Sequence, residues 1–137
     1  MTSLKIWASL IKLSHTLFSL PFALIGFGLG YLAFPENYSL LNLTFMLLSV
    51  FFARNAAMAF NRVTDRYIDA KNERTQQREI PSQKIKTENA IIFVFINVLL
   101  FILTAFLINP LAFYLSPIAL AVILGYSYSK RITWLCH

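Results

Sequence analysis

Apolar residues fall in four long blocks along this chain, at 17–34, 40–60, 90–108 and 111–127. Each block, with its flanks, is close to the roughly 20 residues a helix needs to cross a hydrocarbon core about 30 Å thick. Polar breaks separate them. Pro35-Glu36-Asn37 and Asn109-Pro110 are short reversals, and the stretch 62–89 is the one long polar connection. The pattern predicts an all-α transmembrane fold of four membrane helices, roughly 13–34, 40–70, 88–108 and 111–129. A cytoplasmic loop or helix is expected between the second and third. Pro117 lies inside the fourth block and predicts a kink. Gly26, Gly28 and Gly30, with Pro21, suit a membrane helix in which small residues let neighbours approach.

The first block also invites reading as a cleaved signal peptide. It is long for the apolar core of one, and no small-x-small cleavage site follows it. An uncleaved helix is therefore expected. Residues 1–12 are mildly amphipathic, with Lys5 and Lys12 among apolar positions and Trp7 suited to a membrane interface. Asn97 is the strongly polar residue of the third block and reads as interhelical glue. Thr87 is placed to cap the third helix.

Composition sharpens the class. The chain of 137 residues is 58% hydrophobic and 13% charged, far outside the soluble norm. Its formal net charge of +6 is concentrated rather than spread, which fits one membrane module and no nucleic-acid face. The single Cys136 excludes an intrachain disulfide and a cysteine-based zinc site. All Lys and Arg except Arg54 fall in the N-terminal stretch, the 62–89 connection or the C-terminal end, and the two opposite turns hold none. The positive-inside rule then places both termini and the long connection on the cytoplasmic side.

Candidate chemistry gathers at 54–78. Asn61, Asp65 and Asp69 stand four apart, and Arg54 lies seven before Asn61. Four residues turn a helix by about 400°, so these side chains form a slowly drifting stripe. Carboxylates at the end of an apolar segment are costly unless something neutralises them. Two readings fit. Two hard oxygen ligands one turn apart suit Mg²⁺, which takes one or two carboxylates and completes its shell with water and substrate phosphate. Alternatively, the carboxylates belong to a solvated helix end and pair with Arg62, Arg66 and Arg74.

Asn61-x-x-x-Asp65-x-x-x-Asp69, preceded by Arg54 and followed by Arg74-Thr75-x-x-Arg78, resembles the first aspartate-rich motif of the UbiA family of intramembrane aromatic prenyltransferases. Lys12-x-x-His15-Thr16 through Ala23 resembles the first helix of one branch, where it helps form the acceptor pocket. Tyr126-x-x-x-Lys130 resembles a further motif at the end of the fourth helix. The resemblance implies a UbiA-type helical bundle and a partial prenyltransferase domain over residues 1–137. It implies Mg²⁺ held by Asn61, Asp65 and Asp69, with Asp65 and Asp69 catalytic. Arg54, Arg78 and Lys130 would clamp the diphosphate beside Asn61, and Tyr126 would donate a hydrogen bond to it. The implied partners are a polyprenyl diphosphate, an aromatic acceptor such as 4-hydroxybenzoate, and the lipid bilayer. Two departures stand out. Where the family usually has Arg-Pro and then Gly, this chain has Arg78-Glu79 and Gln83. A glutamine there weakens the turn over the site if that turn needs positive φ.

Other functions stay open on the sequence. The acceptor is equally a menaquinone precursor of the futalosine route. The chain is also readable as a non-enzymatic four-helix membrane subunit whose basic loop binds anionic lipid as a diffuse patch. A labelled prenyl diphosphate separates these, since a lipid patch needs no divalent metal.

The resemblance further implies a second aspartate-rich motif, and no Asp follows Asp69. One divalent ion cannot offset a leaving diphosphate of about three charges. The chain is therefore expected to cover the first half of the family domain. Expressed alone, it should insert into membranes and transfer little or no prenyl group in a labelled-diphosphate assay. Coexpression with the missing half should restore some transfer. Robust Mg²⁺-dependent transfer by these 137 residues alone would instead demand a site shared between copies.

Overall fold

The computed structural model describes residues 3–12 and 17–132. Five α-helices follow in order: α1 (Ser3–Leu10), α2 (Leu20–Ala33), α3 (Leu40–Lys71), α4 (Thr87–Ile108) and α5 (Pro110–Ile132). Single 3₁₀ turns at Leu17–Ser19 and Pro35–Asn37 bracket α2. Three helices, α3, α4 and α5, are long and apolar enough to cross a membrane, and α2 is a shorter apolar helix. The expected all-helical membrane architecture is observed. The first crossing differs in extent, since α2 has 14 residues, and part of the predicted span, 13–16, lies outside the described residues.

α3 is the beam of the fold. At 1.5 Å per residue its 32 residues extend about 48 Å, longer than a hydrocarbon core of about 30 Å. Its last turns therefore project past the apolar layer and carry the motif. Ser39 starts it, its side chain accepting from the Asn42 amide at 3.2 Å. Along one face lie Ser49, Ala53, Ala56, Ala59 and Val63, all buried. Spacings of four, three, three and four keep them on one stripe. Small side chains there let α4 come close, which is how membrane helices gain packing when lipid is as apolar as their side chains. Ala90 and Ala105 answer from α4, and Ser49 donates to Thr104 across the contact at 2.8 Å.

That hydroxyl pair supplies the interhelical bond expected of Asn97. The Asn97 amide instead donates to the Phe93 carbonyl of its own helix at 2.8 Å. The small residues of α2 also differ from expectation. A Cβ on Gly26 or Gly28 would meet nothing within 4 Å, whereas one on Gly30 would overlap the Tyr38 hydroxyl. Close approach is thus confined to Gly30, beneath a tyrosine set edge-on to Phe27 at 5.0 Å between ring centroids. No residue of α2 is buried.

Capping accounts for the other turns. Asn109 reverses the chain between α4 and α5, and its side chain accepts from the Ala112 amide at 2.7 Å. Pro117 sits within a continuous α5. It has no N–H for the Phe113 carbonyl four residues back, and the Ser116 hydroxyl donates to that carbonyl instead at 2.8 Å. The expected Thr87 cap is not formed. Thr87 is the first helical residue of α4, and Lys86 stands at the N-cap without a side-chain cap bond.

The connection from 72 to 86 is folded onto the helices. Ile80 and Ile85 are buried in a cluster with Leu10, Ala59, Val63, Ala90 and Val94. Leu10 of α1 is fully buried there, with Ile6 and Trp7 packed against the cluster. Trp7 lies 4.9 Å from Phe93 between ring centroids. The amphipathic N-terminal helix thus docks on the loop as well as on the bundle, and Ser9 donates a short hydrogen bond to the Glu79 carboxylate. The loop turns at Gln83, whose φ of 55° is left-handed. This is the position where the family resemblance implied glycine. A side chain in that region costs of order 1 kcal/mol. Gln83→Gly should therefore raise stability by about 1 kcal/mol, seen as a higher melting temperature in detergent.

Candidate functional site

The predicted stripe on α3 meets the structure with one correction. Each four-residue step overshoots a full turn by about 40°, so Asp69 has drifted about 80° around the helix from Asn61. Asn61 and Asp65 stay half-buried along with Arg54, whereas Asp69 is 5% exposed. Asp69 instead lines up with Arg62 and Asn55, which are seven and fourteen residues earlier and 6% and 3% exposed. Seven residues return to within about 20° of the start. The motif end of α3 thus bears two polar lines. A half-open one holds Arg54, Asn61 and Asp65, and a buried one holds Asn55, Arg62 and Asp69.

The buried line is closed by the loop. One Arg78 guanidinium nitrogen, Nη1, reaches both Asp69 carboxylate oxygens at 2.7 and 2.8 Å. The backbone reinforces this. The Asp69 carbonyl accepts from the Thr75 hydroxyl at 3.0 Å, and the amides of Thr75 and Gln76 both donate to the Asn72 carbonyl at 2.9 Å. The loop therefore winds back so that Arg78 faces the helix it has just left. For Asp69, the pairing expected for a solvated helix end takes another form, with Arg78 as the partner. Arg66 donates to the Val63 carbonyl at 2.8 Å and covers the Tyr67 ring at 4.2 Å.

Several buried polar atoms at this end have no hydrogen-bond partner among the described residues: Nε of Arg54, Nε of Arg62, Oδ1 of Asn55 and Oε2 of Glu79. Buried polar groups are normally satisfied. Two of these atoms are guanidinium donors and two are oxygen acceptors, so the end of α3 holds unmet groups of both kinds. Arg62 and Glu79 are the ones to which the sequence reading had given no functional role. The seven-residue spacing from Asn55 to Arg62 to Asp69 was the available signal.

The end of α5 comes to the same place. Phe60 and Tyr128 meet edge to face at 5.8 Å between ring centroids, so the α5 terminus lies beside the start of the motif. Tyr126, two residues earlier, is exposed and points to a different side of the helix. The Lys130 side chain lies outside the described residues, as does His15. Among the described residues no three His, Cys, Asp or Glu side chains cluster to hold a metal by themselves.

These features define the class: a helical integral membrane protein with an acidic and basic polar site at one end of its bundle. The UbiA prenyltransferase family model matches residues 19–137, and the chain belongs to that family. It is 33% identical over 89 residues to a 4-hydroxybenzoate octaprenyltransferase of Aliivibrio fischeri (strain MJ11), covering 65% of this chain and 31% of that protein. It is 35% identical over 108 residues to a protoheme IX farnesyltransferase of Shewanella denitrificans, covering 74% of this chain and 35% of the other. The apo structure of a UbiA homolog from Aeropyrum pernix K1 superposes with a TM-score of 0.77 at 33% identity, over 86% of this chain and 42% of that one. The chain spans about a third of the length of these curated relatives.

Because Asp69 is buried, its partner matters more than a surface partner would. Removing one member of a buried ion pair strands the other and costs about 3 kcal/mol or more. Arg78→Ala should lower stability by about that amount, measured by denaturation in detergent. Adding Asp69→Asn to Arg78→Ala should recover most of the loss.

Proposed function

We propose that this chain carries the diphosphate-binding half-site of a Mg²⁺-dependent prenyltransferase. On this reading the enzyme moves a polyprenyl group from its diphosphate to an aromatic acceptor such as 4-hydroxybenzoate, in quinone biosynthesis. The observation that carries it is the arrangement at the motif end of α3. The Asp69 carboxylate stands beside Arg78, Asn61 and Asp65 follow the neighbouring half-open line, and Arg54 and Arg62 keep buried donors without partners.

The donor set fits a magnesium ion that arrives with its substrate. Asp65, Asp69 and the Asn61 amide oxygen are hard ligands, too few for a closed cage and suited to an ion that keeps phosphate and water in its shell. The ion would supply charge neutralisation of the departing diphosphate. Arg78 then exchanges partners, leaving Asp69 for a phosphate oxygen, while the Arg54 guanidinium holds a second one. The resemblance adds a charge from Lys130 at the end of α5, whereas the exposed Tyr126 lies on a different side of that helix from the Tyr128 contact and is the weaker candidate. These groups favour the charge that grows on the diphosphate as the allylic carbon–oxygen bond breaks. The acceptor ring attacks that carbon, forms the new carbon–carbon bond and gives up the proton from the attacked position. The surrounding apolar wall excludes water from the carbocation-like carbon.

The names of the relatives favour 4-hydroxybenzoate over other acceptors. Parallel assays with 4-hydroxybenzoate and other ring acceptors test that choice. In the active enzyme Asp65→Asn and Asp69→Asn should each reduce turnover to near background, and Asp69→Asn should in addition loosen the hold on Arg78. Near-normal turnover of both at limiting Mg²⁺ would refute the metal role. Lys84→Ala, on the exposed loop, should leave turnover unchanged.

A further inference from the structure

A second polar pocket lies away from the motif line. It has a volume of about 450 Å³ and is lined by Trp7, Gln83, Lys84, Lys86, Glu88 and Asn89, with Ile85 behind. Three elements build it: the α1 helix, the left-handed turn at Gln83 and the first turn of α4. We propose that this pocket binds the headgroup of an anionic phospholipid.

The depth of the pocket in the membrane argues first. α4 is the most apolar span of the chain, and Ala90, Ile91 and Ile92 begin its apolar run. Lys84 and Lys86 stand six and four residues before that run, which on the proposed reading sets them at the level of the lipid phosphates. Trp7 stacks on Phe93, one turn into the run, and tryptophan prefers this boundary depth.

The charges argue second. Lys84 and Lys86 are exposed, and the ion pair found among the described residues is that of Asp69 with Arg78. The Lys84 ammonium has a long 3.4 Å contact with the Gln77 carbonyl, a weak hold for a full charge. Glu88 is the opposing charge. It sits in the first turn of α4, where a carboxylate is favoured by the helix dipole. The lining therefore keeps two cations against one anion, beside two amides and an aromatic ring. The left-handed turn at Gln83 is held by the Ile80 carbonyl, which accepts from the Gln83 amide at 3.0 Å. That fixes the chain direction just before the two lysines, so the pocket is a defined shape rather than a diffuse patch. Each lysine near an anionic lipid surface gains about 1 kcal/mol, or about fivefold in local lipid concentration.

Trp7 supplies its own reporter. The chain has two tryptophans, so Trp134→Phe leaves Trp7 as the sole indole. The full chain in vesicles carrying brominated phosphatidylglycerol should show Trp7 quenching about threefold or more above that in brominated phosphatidylcholine. The Lys84→Ala/Lys86→Ala pair should bring the two lipids to parity, and Lys71→Ala, an exposed lysine outside the pocket, should not. Equal quenching by both lipids in the parent chain would overturn the assignment. So would a preference that survives loss of both lysines, or one abolished by inorganic phosphate, which would mark a site for small soluble anions.

Discussion

The ion pair between Asp69 and Arg78 is the contact on which the motif end depends. It joins the last turns of α3 to a loop that backbone turns, the Thr75 hydroxyl and two buried isoleucines also draw back. A carboxylate buried at the end of a membrane helix is costly alone. Once Arg78 reaches it, the loop is committed to a path that buries Ile80 and Ile85 against α3 and α4. That path in turn makes a seat for α1, whose Leu10 is fully buried and whose Ser9 ties to Glu79, next to Arg78 in sequence. One electrostatic requirement thus organises an apolar cluster in which α1, α3, α4 and the loop all take part.

The apolar part of the bundle obeys a different rule. Many large side chains on α2, α4 and α5 are exposed, among them Phe22, Ile91, Phe95 and Val122. In water this would be a liability, but lipid tails solvate such side chains as well as a protein neighbour does. Burial is instead reserved for small residues and hydroxyls: Ala53, Ala56 and Ala59 on α3, and the Ser49 to Thr104 bond. Close backbone approach, rather than large apolar burial, holds α3 to α4.

Much of this was legible in the sequence because it depends on local rules. Block length gave three of the crossings, and the reversal at Asn109-Pro110 followed from turn chemistry. The left-handed backbone at Gln83 was signalled only by the family resemblance, since a glutamine by itself gives no sign of positive φ. The four-residue stripe was half right, since Asn61 and Asp65 stay on the open side while Asp69 rotates into the interior. What escaped depends on contacts across the chain. The docking of α1 on the loop is not a property of any local window, and the burial of Arg62 was signalled only by its seven-residue spacing from Asn55 and Asp69. Likewise Thr87 has the chemistry of a cap, yet the chain enters α4 one residue earlier, and nothing near Thr87 in sequence decides that.

The unpartnered guanidinium atoms give the last step. The structure handles the two signs at this end of α3 differently. The negative charge of Asp69 is held by Arg78, which is half-buried. The donors of Arg54 and Arg62 are left without partners, a cost of roughly 1–3 kcal/mol for each buried group. On the proposed reading that cost is recovered on substrate binding, when an anion meets those donors and Arg78 turns toward it. Binding would then be favoured less by new attraction than by relief of groups the empty fold keeps waiting. Such relief is specific, because it is available to a multiply charged anion at this end of α3 and to little else that a membrane contains.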